Sequence, residues 1–306
     1  MTTERIVKLF AHGGGLSQET WKPIIRRVMT APLLQRVKSE VVTFDWRYHG
    51  ANHRLQEPGT VHYLNGDEGS PRVSHTAREW THWAPRDLHD IVKTLRREDS
   101  ALARRTRIVG IGHSMGACSI INLEIAYPGT FDGIIAFEPV CNEDTLPGDP
   151  KAFVSKMVAN TLQREHTWDS WDDVATHFKS FKAYRRWHDE AVDAYLEGCV
   201  VQTEDGKFRL ACDPVQEASL YCHDIMKFTV EDHSRLGCKV VYEHGEITPL
   251  FNAEATAIVV KALPDKVFLS SAMKGVGHMM VLEDPVACAE RIIQDLEVSP
   301  VFQHTP

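Results

Sequence analysis

The apolar residues of the chain fall into short runs that alternate with amphipathic helical patterns. Runs rich in valine and isoleucine, bounded by glycine or charge, predict strands that are buried on both faces. These runs lie at residues 5–11, 40–45, 106–112, 131–138, 238–245 and 266–272. Helical periodicity is found at residues 21–29, 84–97, 117–126, 253–263 and from about residue 285. This alternation predicts right-handed crossovers and a mostly parallel central sheet with helices on both faces.

The stretch from residue 142 to residue 236 has a different pattern, which is mostly helical and strongly amphipathic. Asp149 followed by Pro150 is typical of a helix start. Strand and helix alternation resumes after residue 236. We therefore predict an α/β core formed by residues 1–141 and 237–306, with residues 142–236 inserted as a mainly helical cap. Such an insertion would cover the carboxyl ends of the strands, where open α/β sheets bind ligands.

Charge and composition exclude several classes of partner. The formal net charge is −8 and the isoelectric point is about 6.0, which argues against a nucleic-acid surface and against attraction to anionic membranes. The sequence has no secretion signal, no apolar run that could span a bilayer and no C-terminal peroxisomal tripeptide. We therefore expect a cytoplasmic protein. The sequence leaves open whether it forms a homodimer.

The cysteines and histidines do not indicate a metal or disulfide site. The seven cysteines include no C-x-x-C pair, which favours reduced thiols. Among the sixteen histidines the closest grouping is His49 and His53, and no third ligand follows at a recognisable spacing. A catalytic zinc needs three protein ligands and a structural zinc needs four. We predict that the protein uses neither a metal nor a cofactor.

Ser114 lies in the pattern Gly112-His113-Ser114-Met115-Gly116, between a predicted strand and a predicted helix. A nucleophile elbow needs small residues on both sides of the serine, because the backbone turns sharply and is crowded there. The turn would expose the serine hydroxyl above the sheet. Ser114 is therefore the candidate nucleophile, and a simple glycine-rich turn is the alternative interpretation.

Two further motifs follow other strands and would meet Ser114 at the same edge of the sheet. His12-Gly13-Gly14-Gly15 can direct the N–H of Gly14 towards an oxyanion, with the N–H of Met115 as the second donor. A phosphate-binding loop is disfavoured, because no third glycine or Gly-Lys-Ser/Thr follows at the required spacing. His278, in Gly275-Val276-Gly277-His278, is the candidate general base.

Together these motifs resemble the α/β-hydrolase family, because nucleophile and histidine follow the family's chain order. The segment that starts at Asp45, DWRYHG, resembles the family's D-x-R-G-H-G stretch, with Tyr48 where glycine is usual. The resemblance covers nearly the whole chain and implies a cap at the insertion. It also implies an acid after the family's seventh strand, in a G-x-x-D pattern. Here that position, counted from Gly245, is Thr248.

The candidate for the missing acid is Glu138. A subset of the family, similar to fungal zearalenone lactone hydrolases and yeast peroxisomal lipase-like hydrolases, carries a glutamate after the sixth strand, and Glu138 ends the matching run. A carboxylate at the end of an apolar strand is costly unless it has a partner, and His278 would be one. Glu246 and Glu243 remain alternatives, although both are out of step with the family position.

The resemblance implies a serine esterase, lipase or lactonase that acts on a small-molecule ester or lactone. Acyltransferases, thioesterases and carbon–carbon bond hydrolases use the same triad, and a non-catalytic small-molecule receptor is the alternative from another class. Aromatic and long apolar side chains of the predicted cap are candidates for the substrate pocket. They are Phe153, Met157, Trp171, Phe178 and Trp187. Packing between the cap helices is the competing explanation for these residues.

Overall fold

The structure is a computed structural model, and it describes residues 3–54, 58–97, 99, 101–141, 149–224 and 226–303. The first residues of the predicted cap, 142–148, and residue 225 within it lie outside the described residues. The central sheet contains β1 (Thr3–Ala11), β2 (Ser39–Thr43), β5 (Arg104–His113), β6 (Gly133–Phe137), β10 (Val240–Glu243) and β11 (Val267–Leu269). A hairpin of β3 (Thr60–Tyr63) and β4 (Pro71–Ser74) follows β2.

The helices of the core follow the predicted order. They are α1 (Lys22–Thr30), α2 (Pro32–Arg36), α3 (Trp80–Arg96), α4 (Met115–Ala126), α10 (Ala253–Ala262), α11 (Met280–Glu283), α12 (Pro285–Glu297) and α13 (Pro300–Gln303). Between β6 and β10 lie α5 (Pro150–Leu162), α6 (Trp171–Ser180), α7 (Asp189–Cys199), α8 (Pro214–Leu220) and α9 (Val230–Ser234). A small antiparallel sheet of β7 (Thr167–Trp168), β8 (Val200–Gln202) and β9 (Phe208–Leu210) accompanies them.

The central sheet is parallel, as predicted, with the strand order β11-β10-β6-β5-β1-β2. Consecutive strand residues face opposite sides. In β1, Ile6 and Phe10 pack towards α1 and α12, whereas Val7 and Leu9 pack towards α3 and α4. Both sides are apolar because helices cover both, which explains the continuous apolar runs of the sequence. The carboxyl ends of these parallel strands meet at one edge, and the candidate site lies there.

The segment between β6 and β10 lies over this edge. We call its described part, residues 149–224 and 226–236, the helical segment. Asp149 caps α5, since its side chain accepts a hydrogen bond from the N–H of Lys151. The strands β8 and β9 form an antiparallel hairpin. In the described ranges of the chain, we find no helix of the length and apolarity that crossing a membrane would require.

Candidate active site

Ser114 lies at the turn between β5 and α4, in a strained backbone conformation with φ 53° and ψ −117°. A residue other than glycine adopts this conformation only where the surrounding structure holds it. Here the N–H of Ser114 donates to the carbonyl oxygen of Phe137, and its carbonyl accepts from the N–H of Cys118. A Cβ at Gly116 would lie 2.2 Å from the carbonyl oxygen of Ala11, so only glycine fits. The local packing is therefore that of a nucleophile elbow.

The imidazole of His278 connects Ser114 to Glu138. Nε2 lies 3.1 Å from Oγ of Ser114, and Nδ1 lies 2.7 Å from Oε2 of Glu138. Since a carboxylate only accepts, Nδ1 carries the proton, and the lone pair of Nε2 faces the serine hydroxyl. Hydrogen bonds therefore link the three side chains in the order that a nucleophile, a base and an orienting carboxylate require.

Glu138 is fully buried and also has positive φ, at 41°. Its Oε1 accepts the N–H of Gly245 at 2.7 Å, and its Oε2 accepts the hydroxyl of Thr248 at 2.7 Å, in addition to His278. Burial alone would raise the pKa of Glu138, but the hydrogen bonds of His278, Gly245 and Thr248 outweigh it and hold the pKa below its ordinary value. Glu138 is therefore a carboxylate at neutral pH.

Thr248, at the position where the family places its acid, supports the carboxylate that comes from another strand. Its hydroxyl donates to Glu138 and accepts the N–H of Leu250. Sequence reasoning missed this contact, although the position of Thr248 in the G-x-x-D pattern places it next to the histidine. The position that would hold an aspartate thus provides a hydrogen-bond donor to the candidate acid.

The two alternative acids have other partners. Glu246 accepts the N–H of Gly275 at 2.8 Å and thereby braces the loop that carries His278. Glu243 is fully buried, accepts the hydroxyl of Ser270 and lies 3.6 Å from Nε of Arg291. Neither carboxylate has a hydrogen bond to the imidazole among the described residues. The geometry favours Glu138 as the acid.

The glycine loop after β1 lies beside Ser114, and buried histidines hold it. Gly15 has φ +72°, and its N–H donates to Nε2 of His49 at 2.9 Å. His12 donates from Nδ1 to the carbonyl of Gly13 at 2.8 Å. Burial lowers the pKa of both His12 and His49, so both rings are neutral near pH 7. Neutrality matters at His49, because a protonated ring could not accept the N–H of Gly15.

The N–H groups of Gly14 and Met115 are the candidate oxyanion donors. Both residues line the cavity that contains Ser114. Within the described part of the chain, neither N–H donates to a protein acceptor. Met115 begins α4, so its N–H is one of the groups that a helix leaves unpaired at its start. Two unpaired donors beside the nucleophile are what a developing oxyanion requires.

An apolar cavity of about 150 Å³ lies above the triad. The helical segment contributes part of its wall through α5 and through the end of α8 and the residues after it. Trp80 lines the cavity and donates from Nε1 to the carbonyl of Leu220. Besides Ser114, His278 and the two candidate oxyanion donors, the lining consists of Trp80, His113, Val140, Phe153, Val154, Met157, Leu220, Tyr221, His223, Leu250 and Met279.

Comparison with known proteins identifies the family. The model of the alpha/beta hydrolase family matches residues 9–291. The chain belongs to the α/β-hydrolase family. A curated relative, the abhydrolase domain-containing protein ACTT2 of Alternaria alternata, is 24% identical over 148 residues, which is 46% of this chain and 52% of the relative. The match thus spans about half the length of that relative.

Solved structures share the α/β-hydrolase fold over nearly the whole chain. The peroxisomal alpha-beta-hydrolase Lpx1 from Saccharomyces cerevisiae has a TM-score of 0.73 and 17% identity, covering 100% of this chain and 79% of that one. An E-2-(acetamidomethylene)succinate hydrolase has a TM-score of 0.66 and 16% identity, covering 97% of this chain and 93% of that one. At these identities the likeness shows the fold alone.

Of the predicted pocket residues, Phe153 and Met157 line the cavity of this α/β hydrolase, whereas Trp171, Phe178 and Trp187 lie outside it. Phe178 is buried and stacks on Tyr184, which also contacts Trp187. Trp171 is 44% exposed and packs against β9. These side chains stabilise the helical segment itself, because α6 turns its apolar face towards its own neighbours. Sequence periodicity identifies an apolar face but not the partner that covers it.

No metal site emerges among the described residues, which contain no group of three or more histidine, cysteine, aspartate or glutamate side chains that could hold an ion. Nε2 of His49 accepts the N–H of Gly15 in the glycine loop, and Nδ1 of His53 donates to the carbonyl of Gly50 at 2.8 Å. The two histidines that the sequence pairs most closely therefore have separate structural partners.

We expect Glu138→Gln to lower kcat by several orders of magnitude, because an amide neither stabilises the imidazolium nor reliably holds its tautomer. Glu246→Gln should lower kcat far less, since Glu246 only braces the loop. The measurement is the initial rate on a p-nitrophenyl ester. Thr248→Val removes one donor to Glu138 and should have an intermediate effect. A crippled Glu246→Gln variant beside an active Glu138→Gln variant would contradict this assignment of the acid.

We also expect acid to destabilise the fold through His113. Burial, and then the nearby His278, lower the pKa of His113 from 6.5 to about 3, while Nε2 donates to the carbonyl of His278. Because the unfolded chain binds the proton more tightly, the free energy of unfolding should fall as pH decreases from 6.5, by about 1.4 kcal/mol per pH unit for this residue.

Urea unfolding between pH 7 and pH 4 measures this slope. In the matched variant His113→Gln, an amide nitrogen can still donate to the His278 carbonyl but does not titrate. Its slope should be smaller than that of the wild type by about one proton. Equal slopes in the two proteins would show that His113 is not the titrating group.

Proposed function

We propose that this protein is a serine hydrolase that cleaves a carboxylic ester or lactone of a small, moderately apolar substrate through an acyl-enzyme intermediate. The observation that carries the proposal is the series of hydrogen bonds from Ser114 through His278 to Glu138 beside an apolar cavity. Every role that acyl transfer requires has a residue in a suitable position. The scheme uses no metal and no cofactor.

In the first step, Nε2 of His278 takes the proton of Ser114 as Oγ attacks the carbonyl carbon of the substrate. Glu138 keeps the proton on Nδ1 and stabilises the imidazolium that forms. The carbonyl oxygen becomes negative and accepts hydrogen bonds from the N–H groups of Gly14 and Met115. When the tetrahedral species collapses, His278 donates its proton to the leaving alcohol and Ser114 carries the acyl group.

In the second step, water replaces the alcohol. His278 removes a proton from this water, and the hydroxide oxygen attacks the acyl carbon. The same two N–H groups hold the second oxyanion. Collapse of the second tetrahedral species breaks the bond to Oγ, and His278 returns the proton to Ser114. A lactone would follow the same path, with its alcohol remaining tethered to the acyl group.

We further propose that residues 142–236 act as a cap. Support comes from α5 and α8, whose side chains Phe153, Met157 and Leu220 form part of the cavity wall. A cap that excludes water strengthens each electrostatic interaction with the transition state. It also limits the size of the group that fits, because an apolar cavity of about 150 Å³ accommodates a group of roughly benzene size.

The competing functions use the same residues. A thioesterase, an acyltransferase or a carbon–carbon bond hydrolase would form an equivalent serine adduct or oxyanion, and a non-catalytic receptor would form neither. Hydrolysis of an ester, a lactone or a thioester needs only the triad, the two donors and a water molecule, whereas acyl transfer also needs a site for the acceptor.

A fluorophosphonate probe should label Ser114, because the lone pair of His278 activates its hydroxyl and the oxyanion donors stabilise the adduct. Intact-protein mass spectrometry measures the labelling. Ser114→Ala should remain unlabelled, and Ser119→Ala, which alters a buried serine of the same helix that bonds the Met115 carbonyl, should still be labelled. A folded wild-type protein without label would support the receptor instead.

The cavity also predicts a preference among acyl groups. We expect p-nitrophenyl acetate and butyrate to be cleaved with higher kcat/KM than p-nitrophenyl laurate, because the cavity is small. Met157→Ala should shift the optimum towards longer chains by removing part of the wall. The matched control is Trp171→Ala, outside the cavity, which should keep the wild-type order. An unchanged order in Met157→Ala would place the acyl group elsewhere.

A further inference from the structure

A partly buried ion pair joins two parts of the helical segment next to the glycine loop. Arg164 follows α5, and Glu217 lies in α8. Nη1 of Arg164 donates to Oε1 of Glu217 at 3.2 Å, and Nη2 donates to Oε2. The side chains are 22% and 6% exposed. Tyr221 adds a third donor, its hydroxyl, at 3.2 Å from Oε1.

The carboxylate of this pair lies directly against Gly15. A Cβ at Gly15 would be 2.7 Å from Cδ of Glu217, and the positive φ of this residue independently requires glycine. On its other side, Gly15 donates its N–H to His49. The peptide that follows Gly14 is therefore confined between a histidine of the core and a carboxylate of the helical segment.

The same helix also approaches the neighbouring glycine. Cδ1 of Leu220 would lie 3.0 Å from a Cβ at Gly14. Glu217 and Leu220 are three residues apart and so lie on the same face of α8. This face covers both Gly14 and Gly15, so the position of α8 determines how far the loop can move. Since Arg164 ties α8 to the end of α5, the position of α8 depends in turn on the ion pair.

We propose that Arg164 and Glu217 are positioning residues that hold the N–H of Gly14 in its oxyanion-binding orientation. The inference rests on the proposed hydrolase function. In this arrangement the helical segment covers the substrate and also positions the glycine loop, which stabilises the transition state. It does so because the carboxylate of its ion pair lies against Gly15. Exact placement matters, since a donor contributes only when it is aimed at the developing oxyanion.

The central variant is Arg164→Gln/Glu217→Gln, which removes both charges together and leaves neither buried charge unpaired. We expect kcat to fall by about 10- to 100-fold, less than the loss of a whole oxyanion donor, while KM changes by less than about threefold. Arg164→Lys keeps the charge but loses the two-pronged contact, and should lie between this variant and the wild type. Arg164→Lys also tests the proposal if the double variant does not fold.

The matched control is Lys207→Gln. It breaks the exposed ion pair between Lys207 and Asp169, which also lies within the helical segment but makes no described hydrogen bond or ion pair with the glycine loop. We expect wild-type kcat and KM. A boronic acid that forms a tetrahedral adduct with Ser114 should bind the double variant more weakly in proportion to its loss of kcat/KM. A role in folding alone would lower the melting temperature without this proportional change.

Backbone amide signals of Gly14 and Gly15, recorded after labelling glycine with ¹⁵N, test the placement without catalysis. They should shift in Arg164→Gln/Glu217→Gln and stay unchanged in Lys207→Gln. If the wild type neither turns over esters nor binds the probe, the hydrolase function fails while these signals still decide the positioning. Unshifted signals, an unchanged kcat, or a rise in KM alone would overturn the proposal.

Discussion

The site depends on one buried carboxylate with three hydrogen-bond donors. The side chain of Glu138 is inaccessible to solvent, and burial by itself would favour the neutral form of its carboxyl group. The imidazole of His278, the N–H of Gly245 and the hydroxyl of Thr248 replace the solvent and keep it ionised. These donors come from loops after β10 and β11, so the carboxylate also fixes the position of three strand ends relative to each other. The strained backbone at Glu138 is stabilised by the same contacts.

A second set of polar contacts positions the glycine loop, and it relies on histidines that stay neutral. His12 and His49 are buried, and each uses one ring nitrogen as a donor and the other as an acceptor. This explains the DWRYHG stretch, which follows β2 and supplies His49 to the loop after β1. Adjacent strands place these loops side by side, so polar residues that are far apart in sequence become structural partners.

Much of the fold could be predicted because burial constrains every residue of a central strand. Within the run at residues 106–112, residues 108–112 carry no polar side chain and are all buried, as a strand covered on both faces requires. The glycines around Ser114 carry similar information, since Gly116 has no room for a side chain. The aromatic residues of the helical segment carry less information about what they pack against. Trp171, Phe178 and Trp187 have the spacing of a buried face, but their partners are each other and their neighbours, and the cavity takes its wall from α5 and α8 instead.

The sequence by itself predicted the parallel α/β core, the elbow at Ser114 and the loop histidine, because each depends on local conformation or on strand order. It favoured Glu138 over Glu246 and Glu243 only through a resemblance to a subset of the family. Only the tertiary structure decided which side chains contact these residues and their loops. Thr248 donates to Glu138, Glu246 braces the loop of His278, and Glu217 with Arg164 lies against Gly15. These contacts join residues from loops and helices with no common periodicity. Their distances follow from how the layers pack, and no pattern along the chain encodes that packing.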